Sequence, residues 1–188
     1  MSLKFNLIAA ACENMGIGYN NNLPWRLKTE MEYFTRMTTA TQDPTKKNVV
    51  LMGRKTWDCI PHKYKPLANR INFVLSRNIM NLKLYKDTFH FKSLDEALAK
   101  LQDDLFKSQY EKIWVIGGSN IYKLTMDSKH FYRLYLTEIK KVYECDTFFP
   151  KIDNSLQEIK DPTVPNEEQE ENGVKFQYKV YQNPQFDK

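Results

Sequence analysis

A short stretch near the N-terminus holds a side chain well suited to proton chemistry. We predict a helix over residues 27–38, on which Leu27, Met31 and Phe34 recur at steps of four and three and line one apolar face. Glu30 falls at the edge of this face. A carboxylate held against apolar side chains is poorly hydrated when charged, which raises its pKa toward the neutral range. Spacing alone favours a solvated glutamate, because most helical glutamates are exposed.

A pair of glycines and a Leu-Pro-Trp segment precede this helix. The residues, in order, are Gly16, Gly18, Leu23, Pro24 and Trp25. The two glycines are not followed by a third at the spacing of the dinucleotide-binding fingerprint, and no phosphate-loop lysine motif occurs in the chain. These absences exclude an ordinary Rossmann or P-loop protein.

Three short apolar runs each end in residues suited to hold an anion. We predict buried strands at residues 49–52, 71–75 and 113–116. Ligands of open α/β sheets bind beyond the carboxyl ends of strands, where glycines let the backbone approach a phosphate and helix amides hold it. Each end alone is compatible with ordinary turn chemistry, whereas three together favour a ligand with several phosphates, such as a dinucleotide. The residues after these strands are Gly53, Arg54, Lys55, Thr56, Ser76, Arg77, Gly117, Gly118, Ser119, Asn120, Ile121 and Tyr122.

The surrounding pattern is that of an α/β domain built on a mostly parallel sheet. Residues 7–12 form an apolar run that we interpret as a buried first strand. Ser93 and Glu96 have the spacing of a capping box and open a predicted crossover helix, whose apolar positions continue to Leu105. Residues 176–180 alternate apolar and polar side chains, which predicts a strand with one solvated face.

Composition and charge narrow the functional class. The chain has 188 residues, a formal net charge of +5 and a pI near 8.9, with 28 basic residues interleaved with 23 acidic ones. This mixture favours anionic small molecules over nucleic acid. An acidic run at residues 166–173 is predicted to be a solvent-exposed turn rather than a binding motif. The apolar run at 7–12 is too short for a signal-peptide core or a membrane span.

The cysteines and histidines favour neither a disulfide framework nor a metal site. The cysteines are odd in number and widely spaced, which indicates a reducing compartment. The histidines show no ligand spacing, and Ser119 lies outside any nucleophile-elbow motif, so metal catalysis and acyl transfer are poor hypotheses. The cysteines are Cys12, Cys59 and Cys145, and the histidines are His62, His90 and His130.

Taken together, these residues resemble the dihydrofolate reductase family across the whole chain, and we interpret residues 1–188 as one such domain. Additional segments at 43–47 and 166–173 are similar to the longer, animal-type form. The resemblance implies about eight sheet strands with an antiparallel C-terminal strand, flanked by helices. The matching positions are Gly16, Ile17, Gly18, Leu23, Pro24, Trp25, Glu30, Phe34, Met52, Gly53, Arg54, Lys55, Thr56, Trp57, Ser76, Arg77, Ile116, Gly117, Gly118, Asp146, Thr147, Phe148, Phe149 and Pro150.

The resemblance assigns substrate and catalytic roles. Glu30 is expected to bond the amino-pyrimidine edge of the pterin with both oxygens, supported by Thr137. Trp25 and Leu23 are expected to belong with Glu30 and Thr137 to the catalytic residues, and Trp25 to help hold an ordered water. Arg70 is expected to bind the carboxylate of the glutamate tail. The remaining expected substrate contacts are Ile8, Ala10, Met31, Phe34, Ile60, Pro61, Tyr64 and Leu67.

The resemblance also implies NADPH as cofactor. Arg54, Ser76 and Arg77 are expected to bind its 2′-phosphate. Ala10 and Ile17 are expected to lie near the nicotinamide. No metal is expected. The other expected cofactor contacts are Gly53, Lys55, Thr56, Leu75, Gly117, Gly118, Ser119, Asn120, Ile121 and Tyr122.

The implied reaction is hydride transfer from nicotinamide C4 to C6 of 7,8-dihydrofolate with protonation of N5, giving tetrahydrofolate for one-carbon metabolism and thymidylate synthesis. The substrate is expected to include polyglutamylated forms, folate is expected to be a weak substrate, and antifolates are expected to inhibit. We expect a cytoplasmic monomer without a membrane partner.

Three other classes compete with this interpretation. A nucleic-acid-binding protein fits the charge of +5 but lacks basic residues interleaved with aromatic ones, so RNA binding has no support in the sequence. A reductase of ribosylated pyrimidines would use NADPH but gives no reason for Glu30 after a Leu-Pro-Trp segment. A catalytically dead nucleotide-binding module would lack a catalytic position, and none is missing. Met31, Thr35 and Tyr64 depart from residues common in the animal form, which leaves inhibitor selectivity open.

Overall fold

The computed structural model of the chain describes residues 2–186 and 188. Its α-helices are α1 (Lys28–Thr39), α2 (Arg54–Cys59), α3 (Leu94–Gln102), α4 (Asp104–Lys107) and α5 (Ser119–Met126), with a short 3-10 helix at His62–Tyr64. Its strands are β1 (Phe5–Ala11), β2 (Gly16–Gly18), β3 (Lys47–Gly53), β4 (Arg70–Leu75), β5 (Thr88–Phe91), β6 (Tyr110–Gly117), β7 (Phe131–Ile139), β8 (Thr147–Phe148), β9 (Gln157–Ile159), β10 (Gln169–Glu171) and β11 (Val174–Gln182).

The main sheet combines a parallel centre with an antiparallel C-terminal edge. Its strand order is β10-β11-β7-β1-β6-β3-β4-β5, and β9 pairs with β11 beside this path. The pairs from β7 through β5 are parallel, whereas β11 is antiparallel to β7, β9 and β10. A separate two-stranded sheet joins β2 to β8. The predicted α/β class, the mostly parallel sheet and the antiparallel C-terminal strand are confirmed.

Two apolar clusters occupy the two faces of this sheet. Strand β3 shows why, since Val49 and Leu51 belong to one cluster and Val50 and Met52 belong to the other. Successive side chains of a strand point to opposite faces, so a strand covered on both sides is apolar throughout. Helices α3, α4 and α5 contribute to the first cluster, and α1 and α2 to the second.

The predicted crossover helix is interrupted. The Ser93 hydroxyl accepts the Glu96 amide at 3.2 Å, which is one of the two bonds of a capping box, while the Glu96 carboxylate accepts the amide of Lys92. Helix α3 nevertheless ends at Gln102. The Asp103 carboxylate accepts the amide of Phe106 at 2.9 Å and starts the separate helix α4. Leu105 is therefore 81% exposed, and its inclusion in the buried face was wrong.

No helix in the described ranges is long and apolar enough to cross a membrane.

Candidate active site

Helix α1 buries a different face from the one predicted. Glu30, Tyr33, Met37 and Thr38 are its buried residues, while Met31 is 47% exposed. The stripe of Leu27, Met31 and Phe34 was therefore wrong as a core face, although Leu27 is buried just before the helix and Phe34 is half-buried. Residues 30, 33 and 37 follow the same steps of three and four, so spacing could not decide between the two faces.

Glu30 is a buried carboxylate with one side-chain hydrogen bond. It is 7% exposed, and the Thr137 hydroxyl donates to its Oε1 at 3.0 Å. Burial raises the pKa of Glu30 from 4.5 to about 7, and the bond from Thr137 opposes this only in part. The solvated interpretation of Glu30 is thus wrong. This group can gain or lose a proton near neutral pH.

Neighbouring strands and aromatic rings fix the position of Glu30. In the sheet, Thr137 of β7 pairs with Ala10 of β1 and with Tyr178 of β11. Tyr33 of α1 stacks on Tyr178 with ring centroids 3.9 Å apart. We call Glu30, Tyr33, Thr137 and Tyr178 the carboxylate region. Helix α1 is packed on the sheet within this region, which holds its carboxylate against Thr137.

An acidic residue from the C-terminal hairpin caps α1. The backbone amides of Lys28 and Thr29 donate to the two carboxylate oxygens of Glu171 at 2.6 and 2.7 Å. These bonds lower the pKa of Glu171 and satisfy amides at the helix start. The prediction that residues 166–173 form only a solvent-exposed turn was therefore wrong, because they include strand β10 and this cap.

Apolar side chains expected at the substrate and catalytic positions divide into two groups. Ile8 is buried in the cluster that contains Trp25, and four further residues pack at the edge of that cluster: Ala10, Phe34, Ile60 and Leu67. The second group is exposed and comprises Leu23, Met31, Pro61 and Tyr64. The indole Nε1 of Trp25 is buried and donates to no acceptor within residues 2–186 and 188, which leaves it available to water or ligand.

Arg70 is a buried cation at the start of β4. It is 6% exposed, its Nη1 donates to the Thr38 hydroxyl at 2.9 Å, and its Nε donates to the Ala68 carbonyl at 2.9 Å. Burial lowers the pKa of Arg70 to about 10, and no carboxylate of the described residues offsets it. The guanidinium stays charged at neutral pH, so an arriving carboxylate would find an uncompensated positive charge.

The three predicted anion-holding strand ends lie side by side. Gly53 of β3 pairs with Leu75 of β4, and Met52 pairs with Gly117 of β6. We call residues 53–56, 75–77 and 117–122 the strand-end cluster. Helices α2 and α5 both start within it, and no side chain of the described residues caps either start. Their first amides are therefore available to a bound anion.

Two glycines of the strand-end cluster are required by close packing. Gly117 has φ +116°, and a Cβ there would lie 3.2 Å from the ring of Tyr122. A Cβ on Gly53 would lie 3.0 Å from Cγ1 of Ile121. Bare backbone at these positions lets the strand ends approach α5 closely.

The polar side chains of this cluster differ in how they are held. Arg54 pairs with Asp58 at 3.6 Å, and both are about half exposed. The Ser119 hydroxyl donates to the Phe148 carbonyl at 2.6 Å, and Nε2 of His90 lies 2.8 Å from the Ser76 carbonyl. Three further side chains are exposed at the surface: Lys55, Arg77 and Asn120. Thr56 is half-buried.

Two expected cofactor residues contribute to packing. Tyr122 is 4% exposed, and its hydroxyl donates to the Ile8 carbonyl at 2.7 Å, so it connects α5 to β1. Burial raises the pKa of Tyr122, which keeps the phenol protonated as a donor. Ile17 packs at the edge of the first cluster. These contacts link the strand-end cluster to the strand that carries Ala10.

Within the described part of the chain, no group of three or more histidine, cysteine, aspartate or glutamate side chains is arranged to hold a metal ion.

The chain is similar to dihydrofolate reductases over nearly its whole length. A sequence model of dihydrofolate reductase matches residues 4–183. The dihydrofolate reductase of Heliothis virescens is 48% identical over 182 residues, covering 95% of this chain and 97% of that protein. That of Drosophila melanogaster is 45% identical over 179 residues, with the same coverage. The structure of Schistosoma mansoni dihydrofolate reductase aligns with a TM-score of 0.87 at 36% identity, covering 98% of this chain and 100% of that chain.

The fold and these relatives define an α/β oxidoreductase that uses a nicotinamide cofactor. The chain belongs to the dihydrofolate reductase family, as the sequence motifs predicted, and its relatives in moth and fly agree with the animal type. Enzymes of this family reduce dihydrofolate to tetrahydrofolate and are targets of antifolates.

Proposed function

We propose that this chain uses NADPH to reduce 7,8-dihydrofolate to 5,6,7,8-tetrahydrofolate. The observation that carries the proposal is the buried Glu30 carboxyl, which has a pKa near 7 and a hydrogen bond from Thr137. It lies over the same parallel sheet whose strand ends offer free amides and cationic side chains. A proton-exchanging group and an anion-holding surface on one sheet are what this reaction requires.

The carboxylate region would recognise the pterin. Two oxygens of Glu30 suit the paired donors of an amino-pyrimidine edge, and the apolar surroundings strengthen such bonds. Ile8 and Phe34 would contact the rings, and Arg70 would bind the carboxylate of the glutamate tail. Polyglutamylated dihydrofolate is included in the proposed substrate class, because only the first carboxylate needs to reach Arg70.

The strand-end cluster fits a dinucleotide with an extra phosphate. Free amides of α2 and α5 would hold the pyrophosphate, while Arg54, Ser76 and Arg77 would contact the 2′-phosphate. Bound NADPH would supply the hydride to C6 of the pterin. Packing of Tyr122 against Ile8 supports a fixed distance between the two ligand positions.

Proton delivery would involve Glu30 together with Trp25. The unpartnered indole Nε1 of Trp25 would hold a water near the pterin, and Glu30 would bias protonation of N5 without touching it. Burial of both side chains limits access of bulk water to the reacting rings.

The remaining features of the proposal follow from the family. We propose weak turnover of folate, inhibition by antifolates, and a cytosolic monomer that supplies one-carbon metabolism and thymidylate synthesis.

The first experiment follows nicotinamide absorbance when purified protein meets 7,8-dihydrofolate with NADPH or with NADH near neutral pH. Rapid oxidation of NADPH with weak use of NADH is expected. A folded protein without activity would contradict the reductase, and equal use of both cofactors would contradict the proposed 2′-phosphate contacts.

A further inference from the structure

Two cysteines far apart in the sequence meet beside the N-terminal loop. The Sγ atoms of Cys12 and Cys145 are 3.7 Å apart. Cys12 is buried and its thiol donates to Asn14 Oδ1 at 2.9 Å, whereas Cys145 is only half-buried. One thiol of the pair is thus partly accessible from solvent and the other lies directly behind it.

The pair lies at the base of the loop formed by residues 12–22. The amide of Cys12 donates to the Gly16 carbonyl at 3.0 Å, and the amide of Asp146 donates to the Gly18 carbonyl at 3.0 Å. Gly16 packs so closely on Cys145 that a Cβ at Gly16 would overlap its sulfur. A change in the position of Cys145 must therefore displace β2.

We propose that Cys12 and Cys145 form an oxidation site, at which a low-molecular-weight disulfide converts the two thiols into a disulfide that slows turnover. The slowing rests on the proposed function, because β2 carries Ile17, which is expected beside the nicotinamide. Disulfide formation itself does not rest on it.

The chemistry is two successive thiol–disulfide exchanges. The Cys145 thiolate attacks oxidised glutathione, forms a mixed disulfide and releases one glutathione thiolate, which takes up a proton. Cys12 then gives up its proton, attacks the Cys145 sulfur and releases the second glutathione thiolate. Two protein thiols are oxidised, and one glutathione disulfide is reduced to two glutathione thiols.

Closure of the bond would move the loop. A disulfide holds its sulfurs about 2 Å apart, well inside the 3.7 Å between these thiols. Because Gly16 packs on the Cys145 sulfur, the adjustment would reach β2. Movements of loops beside a ligand often limit turnover. Turnover is therefore expected to slow when the disulfide restrains this loop.

The surroundings of the pair favour the reduced form in the resting protein. Burial, the neighbouring Cys12 and the charge of Asp146 raise the pKa of Cys145 to about 11, and Tyr143 lies nearby as a neutral phenol. Little of the Cys145 thiol is ionised at neutral pH. The rate of the exchange should therefore rise about tenfold for each unit by which the pH increases, as long as the pH stays below that pKa.

The test uses the full chain with Cys59→Ser, which removes the exposed third thiol. Turnover of the reduced protein is measured first, so that failure of the proposed function is seen separately. The protein is then incubated with oxidised glutathione, and its peptides are analysed by mass spectrometry. We expect a Cys12–Cys145 cross-link, a kcat lower by about threefold or more, and full recovery with dithiothreitol.

Two further variants in the same background separate the steps. Cys12→Ser should trap glutathione on Cys145, and Cys145→Ser should form no cross-link and keep its turnover after the same treatment. If no cross-link forms in the parent protein, the site is disproved. A cross-link with unchanged kcat would disprove its effect on the loop.

Discussion

The carboxylate region and the strand-end cluster lie on one sheet but differ in how their polar groups are held. Glu30 is 7% exposed and is fixed by Thr137, while the stacked rings of Tyr33 and Tyr178 pack beside it. In the strand-end cluster, Arg77 is exposed and Arg54 rests on a half-exposed neighbour. The carboxylate region is fixed by a hydrogen bond and ring stacking, whereas the strand-end cluster offers solvent-exposed charges.

This difference follows from what each region has to recognise. A neutral, planar heterocycle is distinguished by a small number of buried hydrogen bonds, whose strength depends on exclusion of water. A phosphate is already strongly charged, so exposed arginines and helix amides hold it without complete burial. Removing Glu30 should therefore cost far more than removing any single cation of the strand-end cluster.

The largest expected effect is on turnover in the carboxylate region. Glu30→Gln keeps the shape and an acceptor for Thr137 but removes the proton that exchanges near pH 7. We expect kcat at neutral pH to fall by roughly a hundredfold or more, as is typical when an acid–base group is lost. Steady-state assays and circular dichroism would establish this loss in a folded protein.

Glu32→Gln is the matched control for that variant. Glu32 lies on the same helix, is 67% exposed at its side chain and pairs with Lys28 at 4.0 Å. The Glu32→Gln variant loses the same formal charge as Glu30→Gln and should retain its turnover. Equal loss in both variants, or no loss in Glu30→Gln, would remove Glu30 from the mechanism.

The next largest expected effect is a gain in the free energy of unfolding from Glu30→Gln. The pKa of Glu30 is higher in the folded chain than the ordinary value of 4.5, so the folded state binds more protons between pH 4.5 and about 7. Stability of the parent protein therefore falls as pH rises through this range. Above this pH range, the buried charge lowers the free energy of unfolding by about 3 kcal/mol, and Glu30→Gln would restore that amount.

Urea unfolding at pH 5 and pH 8 measures this gain. The glutamine variant should be more stable than the parent at pH 8, and its advantage should shrink toward pH 5. The same advantage at both pH values would mean that burial of the charge does not set the pKa of Glu30. Glu32→Gln keeps the Glu30 carboxyl and should therefore retain the pH dependence of stability that this carboxyl produces.

A smaller effect, on the preference for NADPH over NADH, is expected from substitutions in the strand-end cluster. The double variant Arg54→Gln/Arg77→Gln removes two exposed cations that are proposed to contact the 2′-phosphate. We expect the preference for NADPH over NADH in kcat/KM to fall by roughly tenfold to a hundredfold, with little change for NADH. Lys107→Gln on α4 is a control that removes one cation outside the strand-end cluster, where the ammonium pairs with Asp104 at 3.8 Å. It should leave the cofactor preference unchanged. A parallel loss for both cofactors would contradict phosphate recognition by these arginines.

The strand-end cluster was more predictable from sequence than the carboxylate region, because its signals are local. Each glycine or cation directly follows an apolar run, and parallel strands bring their carboxyl ends to one edge. Glu30 is different, since its burial depends on Thr137, which lies 107 residues away in sequence. Helical spacing alone was compatible with two faces of α1, and only packing on the sheet selected the one that contains Glu30.

The interruption between α3 and α4 shows a local signal that was outweighed. Asp103 is an N-cap residue type, yet Leu105 satisfied helical spacing and extended the predicted face. The contact between Cys12 and Cys145 joins residues 133 apart, so it has no signature in the sequence.

The smallest expected effect concerns the cap that joins the C-terminal hairpin to α1. Both oxygens of Glu171 accept amides of α1, whereas glutamine offers one oxygen and turns an amide group toward a backbone donor. Glu171→Gln should therefore lower Tm by roughly 2–4 °C, the effect of a lost helix cap in a chain of this size.

The same substitution should also loosen the first turn of α1, which carries Glu30. We expect KM for dihydrofolate to rise by about twofold to threefold while KM for NADPH is unchanged, because only the carboxylate region is disturbed. Glu170→Gln changes the charge of the adjacent, exposed residue and should alter neither Tm nor KM. If Glu171→Gln raised both KM values equally, the cap would support the fold as a whole rather than the carboxylate region alone.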